Sequence, residues 1–137
     1  MEKMMLTAIG IKALIIWSGI LVLAIANGML RESFLIPALG APAALVLSGL
    51  LLSAVILGVT YTSLPWLQVT SPAGLFAVGL GWLALTLVFE FSFGRWQGKS
   101  WPELLEAYTF KDGNLWPVVL VVIVFAPFLA AKLRGLV

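Results

Sequence analysis

From Ser33 to Phe89 the chain carries no charged residue, a run of 57 positions. A helix needs roughly 20 mainly apolar residues to cross a hydrocarbon layer about 30 Å thick, so this run is too long for one crossing and suits two joined by a turn. Residues 61–74, with two prolines, several hydroxyls, and a Tyr and Trp fitted to the headgroup level, supply that turn. The spacing predicts spans over about 42–61 and 72–93. An uncharged stretch between Lys12 and Arg31 predicts an earlier span over about 6–28, with Lys12 snorkelling to the interface. A fourth span covers about 115–131 and stops at Lys132 and Arg134.

Composition agrees: 62% of the 137 residues are hydrophobic and 10% charged, where soluble domains carry about 25%. Mean hydropathy is +1.12. A water-soluble fold is excluded and the expected partner is membrane lipid. Eight Lys and Arg against six Asp and Glu leave a formal charge of +2, too small and scattered for a nucleic-acid surface. With no Cys and no His, disulfides, thiolate or imidazole metal sites and histidine acid–base chemistry are excluded. No cofactor is expected.

The expectation is an all-α membrane protein forming one integral domain over residues 1–137, four transmembrane helices in a bundle plus a short amphipathic surface helix between the third and fourth spans. Lys3, Lys12, the apolar stretch after them and Ala24-Ile-Ala26 also resemble a cleavable secretory signal; a permanent span is the preferred expectation. Four crossings place the loops at about 29–42 and 94–114 on one face, with both termini and the uncharged turn on the other. Four Lys or Arg fall on each side, so the positive-inside rule returns a tie. The expected location is the plasma (inner) membrane with cytoplasmic termini, and the balance also permits insertion in both orientations and antiparallel dimers.

Asn27-Gly-Met-Leu-Arg31-Glu32 closes the first span much as Glu90-Phe-Ser-Phe-Gly94-Arg95 closes the third. If that similarity is a duplication, an axis along the membrane normal relates the two hairpins; chance likeness of helix ends is the simpler alternative. Ser100-Trp-Pro-Glu103 is a capping box that starts the surface helix, about 101–110. Within it Trp101, Leu104, Leu105 and Tyr108 form an apolar stripe, while Glu103 and Glu106 lie off it. Lys111-Asp-Gly-Asn114 turns into the fourth span with Asn114 as N-cap.

Few residues can carry chemistry. Glu90 puts a carboxylate inside an apolar helix, where ionised groups normally face protein or water and find a partner. By helix rise it sits roughly 5–6 Å below Gly94. It reads either as a proton or cation site or as one half of an ion pair with Arg31 or Arg95. Asn27 and Arg31, four apart, share a face that can point at Glu90, while Glu32 turns about 100° away. Arg31 and Arg95 suit an anionic headgroup, carboxylate or phosphate, or ordinary snorkelling. Small residues four apart, Ala44/Ser48, Gly49/Ser53 and Ala54/Gly58, with Ala77, Gly79 and Gly81, predict close helix packing. No phosphate loop, dinucleotide fingerprint, nucleophile elbow or metal-binding helix pair occurs.

The best functional expectation is an oligomeric channel or transporter for a small ion or solute, using Glu90, Asn27, Arg31, Arg95 and Glu32 as a polar site near the ends of the first and third spans. The alternative is a non-catalytic accessory or lipid-binding subunit of a larger membrane complex. An enzyme acting on lipid is the least favoured class, and no catalytic or metal-binding residue is assigned.

Overall fold

In a computed structural model, residues 2–69, 71–109 and 115–135 are described, and they are helical with no strand among them. The elements are α1 (Glu2–Leu30), a π-helical turn (Arg31–Leu35), α2 (Ile36–Leu39), α3 (Ala41–Leu67), α4 (Pro72–Trp96), α5 (Trp101–Leu105) with a 3₁₀ turn (Glu106–Tyr108), and α6 (Trp116–Leu133). Four stretches, Leu6–Leu39, Ala41–Leu67, Pro72–Trp96 and Trp116–Leu133, are long and apolar enough to cross a membrane, the number expected.

The helices run longer than the sequence suggests. Residues 29–42, expected as a loop, are almost wholly helical: the chain widens into the π turn at Arg31 and re-forms α2. Pro37 and Pro42 each occupy the first turn of their helix, where a missing N–H costs little. Only Gly40 breaks the path, at φ +84°, a left-handed value that favours glycine.

The second turn shrinks as well. Expected at 61–74, it is confined to the neighbourhood of Gln68 and Ser71, because α3 continues through Pro65 to Leu67. A proline inside a helix leaves the carbonyl four residues back without its donor. Here that carbonyl belongs to Tyr61, and Arg134 Nη1 donates to it at 2.9 Å while the guanidinium sits 4.6 Å from the Tyr61 ring. Lys12 likewise does more than snorkel. Its Nζ donates to Trp66 O at 3.0 Å, satisfying one of the orphan carbonyls that end α3. Cations from α1 and from the residue after α6 therefore cap one end of α3.

Around the bundle α1 packs on α3, α3 on α6, α6 on α4, and α4 lightly on α1. In that ring α1 lies next to α4 and diagonal to α6. A twofold axis along the bundle would place α1 and α4 on a diagonal, so the repeat relation considered from sequence is not realised.

The core is organised by one face of α3, on which Ala44, Ser48, Leu52, Ile56, Thr60 and Leu64 recur every fourth position and are buried. The expected small-residue packing is partly realised. Gly79 on α4 is so close to α6 that an added Cβ would collide with the Val124 backbone. Gly49 faces Leu115. By contrast Ala54, Gly58, Ala77 and Gly81 are exposed.

The capping box at Ser100 and Glu103 forms. The segment after it is α-helical only to Leu105 before tightening into the 3₁₀ turn. Of the expected stripe, Leu104 is buried and lies against Gly94, Tyr108 is half-buried, and Trp101 and Leu105 are exposed. Phe110, the turn at 111–114 and the Asn114 cap lie outside the described residues.

Candidate functional site: a cavity between the four long helices

Because α1 touches α4 only lightly, the bundle does not close. A cavity of about 400 Å³ lies between the four long helices and reaches the end at which α1 and α4 finish and α3 and α6 begin. Its polar rim divides into two walls.

On the α4–α6 wall, Glu90 accepts two hydrogen bonds on the same oxygen: Tyr108 Oη donates to Oε2 at 2.8 Å and Trp116 Nε1 at 2.6 Å. This corrects the expected ion pair with Arg31 or Arg95. Glu90 is held instead by two aromatic donors, one from the 3₁₀ turn and one from the first turn of α6. Phe91 stacks on the Tyr108 ring with centroids 5.9 Å apart. Burial pushes the Tyr108 hydroxyl up to about 12, so it stays a donor across the physiological range. Lys99 and Gln97 complete this side of the rim.

On the α1–α3 wall, Ser48 Oγ donates to Asn27 Oδ1 at 2.5 Å and accepts from Arg31 Nη1 at 3.4 Å, while Asn27 Nδ2 donates to Ser48 O at 3.3 Å. Ser48 is 1% exposed, so these bonds satisfy a hydroxyl that would otherwise be costly to bury. Asn27 and Arg31 do share a face, as their spacing predicts, but they engage α3 rather than Glu90. Arg31 opens the π turn, a deformation often found at functional sites.

Of the five expected site residues, Asn27, Arg31 and Glu90 line the cavity, and Glu32 and Arg95 do not. Glu32 pairs with its neighbour Arg31 at 3.4 Å, the single ion pair among the described residues. Arg95 Nη1 donates to Lys99 O at 3.2 Å and its guanidinium lies 5.5 Å from the Trp101 ring centre.

Ser48, Tyr108 and Trp116 went unassigned to the site by sequence. Ser48 registered only as a small packing residue and Tyr108 only as part of an apolar stripe. No local pattern marks Trp116 as a partner for a residue 26 positions away.

Below the rim the lining turns apolar, with Ile20, Leu52, Ile56, Val119 and Ile123. Two tryptophans tie α1 to α4 at the floor. Trp17 Nε1 donates to Thr86 Oγ1 at 3.0 Å, and Trp82 Nε1 donates to Ala13 O at 2.9 Å. The described residues contain no group of three or more side chains able to hold a metal. Family models, curated proteins and solved structures provide no match to the chain.

Proposed function

We propose that the protein is a membrane transporter whose four long helices cross the bilayer and whose cavity binds a small ion or solute entering from one face. The observation that carries this reading is the cavity itself: a partly open volume within the usual range for ligand sites, with ionisable groups at its rim and α1 tied to α4 at its floor by the Trp17 and Trp82 bonds. A tied floor favours binding and release over an open pore. Four helices are too few to enclose a wide passage, and copies of the chain associate to complete it. The termini face the cytoplasm of a plasma membrane in this reading.

Glu90 is the group proposed to act on the transported species. Glu90→Gln keeps an acceptor oxygen for Tyr108 and Trp116 while removing the charge, so folding should persist. Flux in proteoliposomes should then fall while the thermal transition stays put. Unchanged flux in a folded Glu90→Gln protein ends the assignment.

A second reading, an accessory subunit of a larger complex, draws on the exposed Trp101 and Leu105 of α5. It predicts a stoichiometric membrane-protein partner in native mass spectrometry. A partner-free protein that still supports flux excludes it.

A further inference from the structure

We propose that the occupant of the cavity is a single-chain amphiphile with an anionic head, a carboxylate or a phosphate, entering sideways between α1 and α4. The proposal deepens the transport reading and rests on it.

The route is set by where the two helices are joined. Two hydrogen bonds join them at the floor, from Trp17 to Thr86 and from Trp82 to Ala13. Ile25 lies eight residues past Trp17 and Phe93 seven past Thr86, so at 1.5 Å per residue both stand about 10–12 Å above that tie. Each lines the cavity and is also exposed, 50% and 43% respectively. A residue that faces an internal cavity and the outside surface at once marks an opening. This one is flanked by an aliphatic and an aromatic side chain. It lies about 9 Å along α1 from Arg31 toward the floor, and about 4–5 Å past Glu90 along α4, so it opens between the levels of these two groups, at the depth of acyl chains when Arg31 is at headgroup level.

The lining fits the two halves of such a molecule. At the floor, below Glu90, the Thr86 hydroxyl accepts from the Trp17 indole N–H and donates to Trp82 O, so a polar solute would find these groups already engaged. A hydrocarbon chain would meet Ile20, Leu52, Ile56 and Ile123. At the rim Arg31 and Lys99 face one carboxylate, Glu90, whose Oε2 is already engaged twice. The lining itself therefore carries one net positive charge, and Glu32, just outside it, pairs with Arg31 through Nε. Arg31 uses Nε and Nη1, each at 3.4 Å, and Nη2 has no hydrogen-bond partner among the described residues. A guanidinium with a free edge beside an ammonium suits a carboxylate or phosphate head and repels an organic cation.

The test is equilibrium binding and native mass spectrometry on the full chain in mild non-ionic detergent, followed by transbilayer movement of the same probes in proteoliposomes. Oleate and 1-oleoyl-lysophosphatidate serve as anionic probes, lysophosphatidylcholine and oleylamine as comparators. One anionic probe should bind per chain, with affinity about tenfold or more above either comparator. Arg31→Gln should lose that margin; because Arg31 also supports Ser48, the exposed rim variant Lys99→Gln checks the same point without touching that network. Ile25→Trp, which narrows the opening and leaves the rim intact, should lower occupancy. Equal affinity for all four probes overturns the proposal. So does absence of binding by a protein that still carries a water-soluble solute in a Glu90-dependent way, an outcome that leaves the transport reading standing. Head-selective binding without movement of the probe between leaflets supports the ligand class and ends the transport reading.

Discussion

The indole of Trp116 donates to Glu90 Oε2 at 2.6 Å, joining the first turn of α6 to the closing turns of α4 at the rim of the cavity. A hydrogen bond to a charged acceptor contributes about 1.5–3 kcal/mol. Trp116→Phe keeps most of the ring and deletes the donor. Thermal unfolding in detergent should show a loss of that size, with Tyr108→Phe giving a similar loss. Glu90→Gln should cost much less, since both donors keep an acceptor. Equal damage from all three would mean that the carboxylate charge itself stabilises the fold.

Tyr108 supplies a pH prediction. Its hydroxyl is raised from 10.0 to about 12 by burial, so the folded protein holds the neutral phenol longer than the unfolded chain does. The contribution is complete below pH 10 and is lost as pH rises from 10 to 12. Denaturant midpoints measured across that window should fall more steeply for the wild-type chain than for Tyr108→Phe. Parallel slopes would show that the phenol ionises without hindrance.

Two glycines on α4 should behave in opposite ways. At Gly79 a Cβ would meet the Val124 backbone, which cannot yield as a side-chain tip can. At Gly81 nothing lies within 4 Å. Gly79→Ala should destabilise by about 1–3 kcal/mol through overpacking. Gly81→Ala should be neutral or stabilising by up to about 1 kcal/mol, since glycine disfavours helix. Melting both variants together decides whether α4 and α6 are in backbone contact.

Arg134 and Pro65 should be coupled through the Tyr61 carbonyl. Arg134→Ala removes the donor at 2.9 Å from an oxygen that the Pro65 ring leaves unpaired. In a Pro65→Ala background the helix supplies its own N–H, and the same Arg134 change should cost less. A double-mutant cycle should give a coupling of about 0.5–1.5 kcal/mol. Strict additivity would mean that water serves the Tyr61 carbonyl as well as the guanidinium does.

Much of the architecture was legible in the pattern of charge. The uncharged run from Ser33 to Phe89 is long enough for two crossings, and four helices long and apolar enough to cross a membrane are present. Their ends were less legible, for two physical reasons. Pro37 and Pro65 are helix breakers in isolation, but one sits in a first turn and the other has its lost bond replaced by Arg134. Gly28, Arg31 and Glu32 look like a helix exit, whereas the chain widens into a π turn and continues. Of the site, the shared face of Asn27 and Arg31 followed from helix periodicity, but that this face turns to Ser48 on α3 and not to Glu90 did not. The partners of Glu90 did not, because Tyr108 and Trp116 reach it through tertiary packing that no local spacing encodes.

The central claim is that Glu90 and Arg31 border a cavity that opens at one end of a membrane-embedded bundle. The chain has no cysteine, so single-cysteine variants report one position each. Leu21 lines the cavity, and Val88, at nearly the same height, is 65% exposed on the outside of the bundle. In proteoliposomes a membrane-impermeant thiol reagent should label Leu21→Cys from one side only and leave Val88→Cys unmodified. Labelling of Val88→Cys, or protection of Leu21→Cys from both sides, would contradict the account.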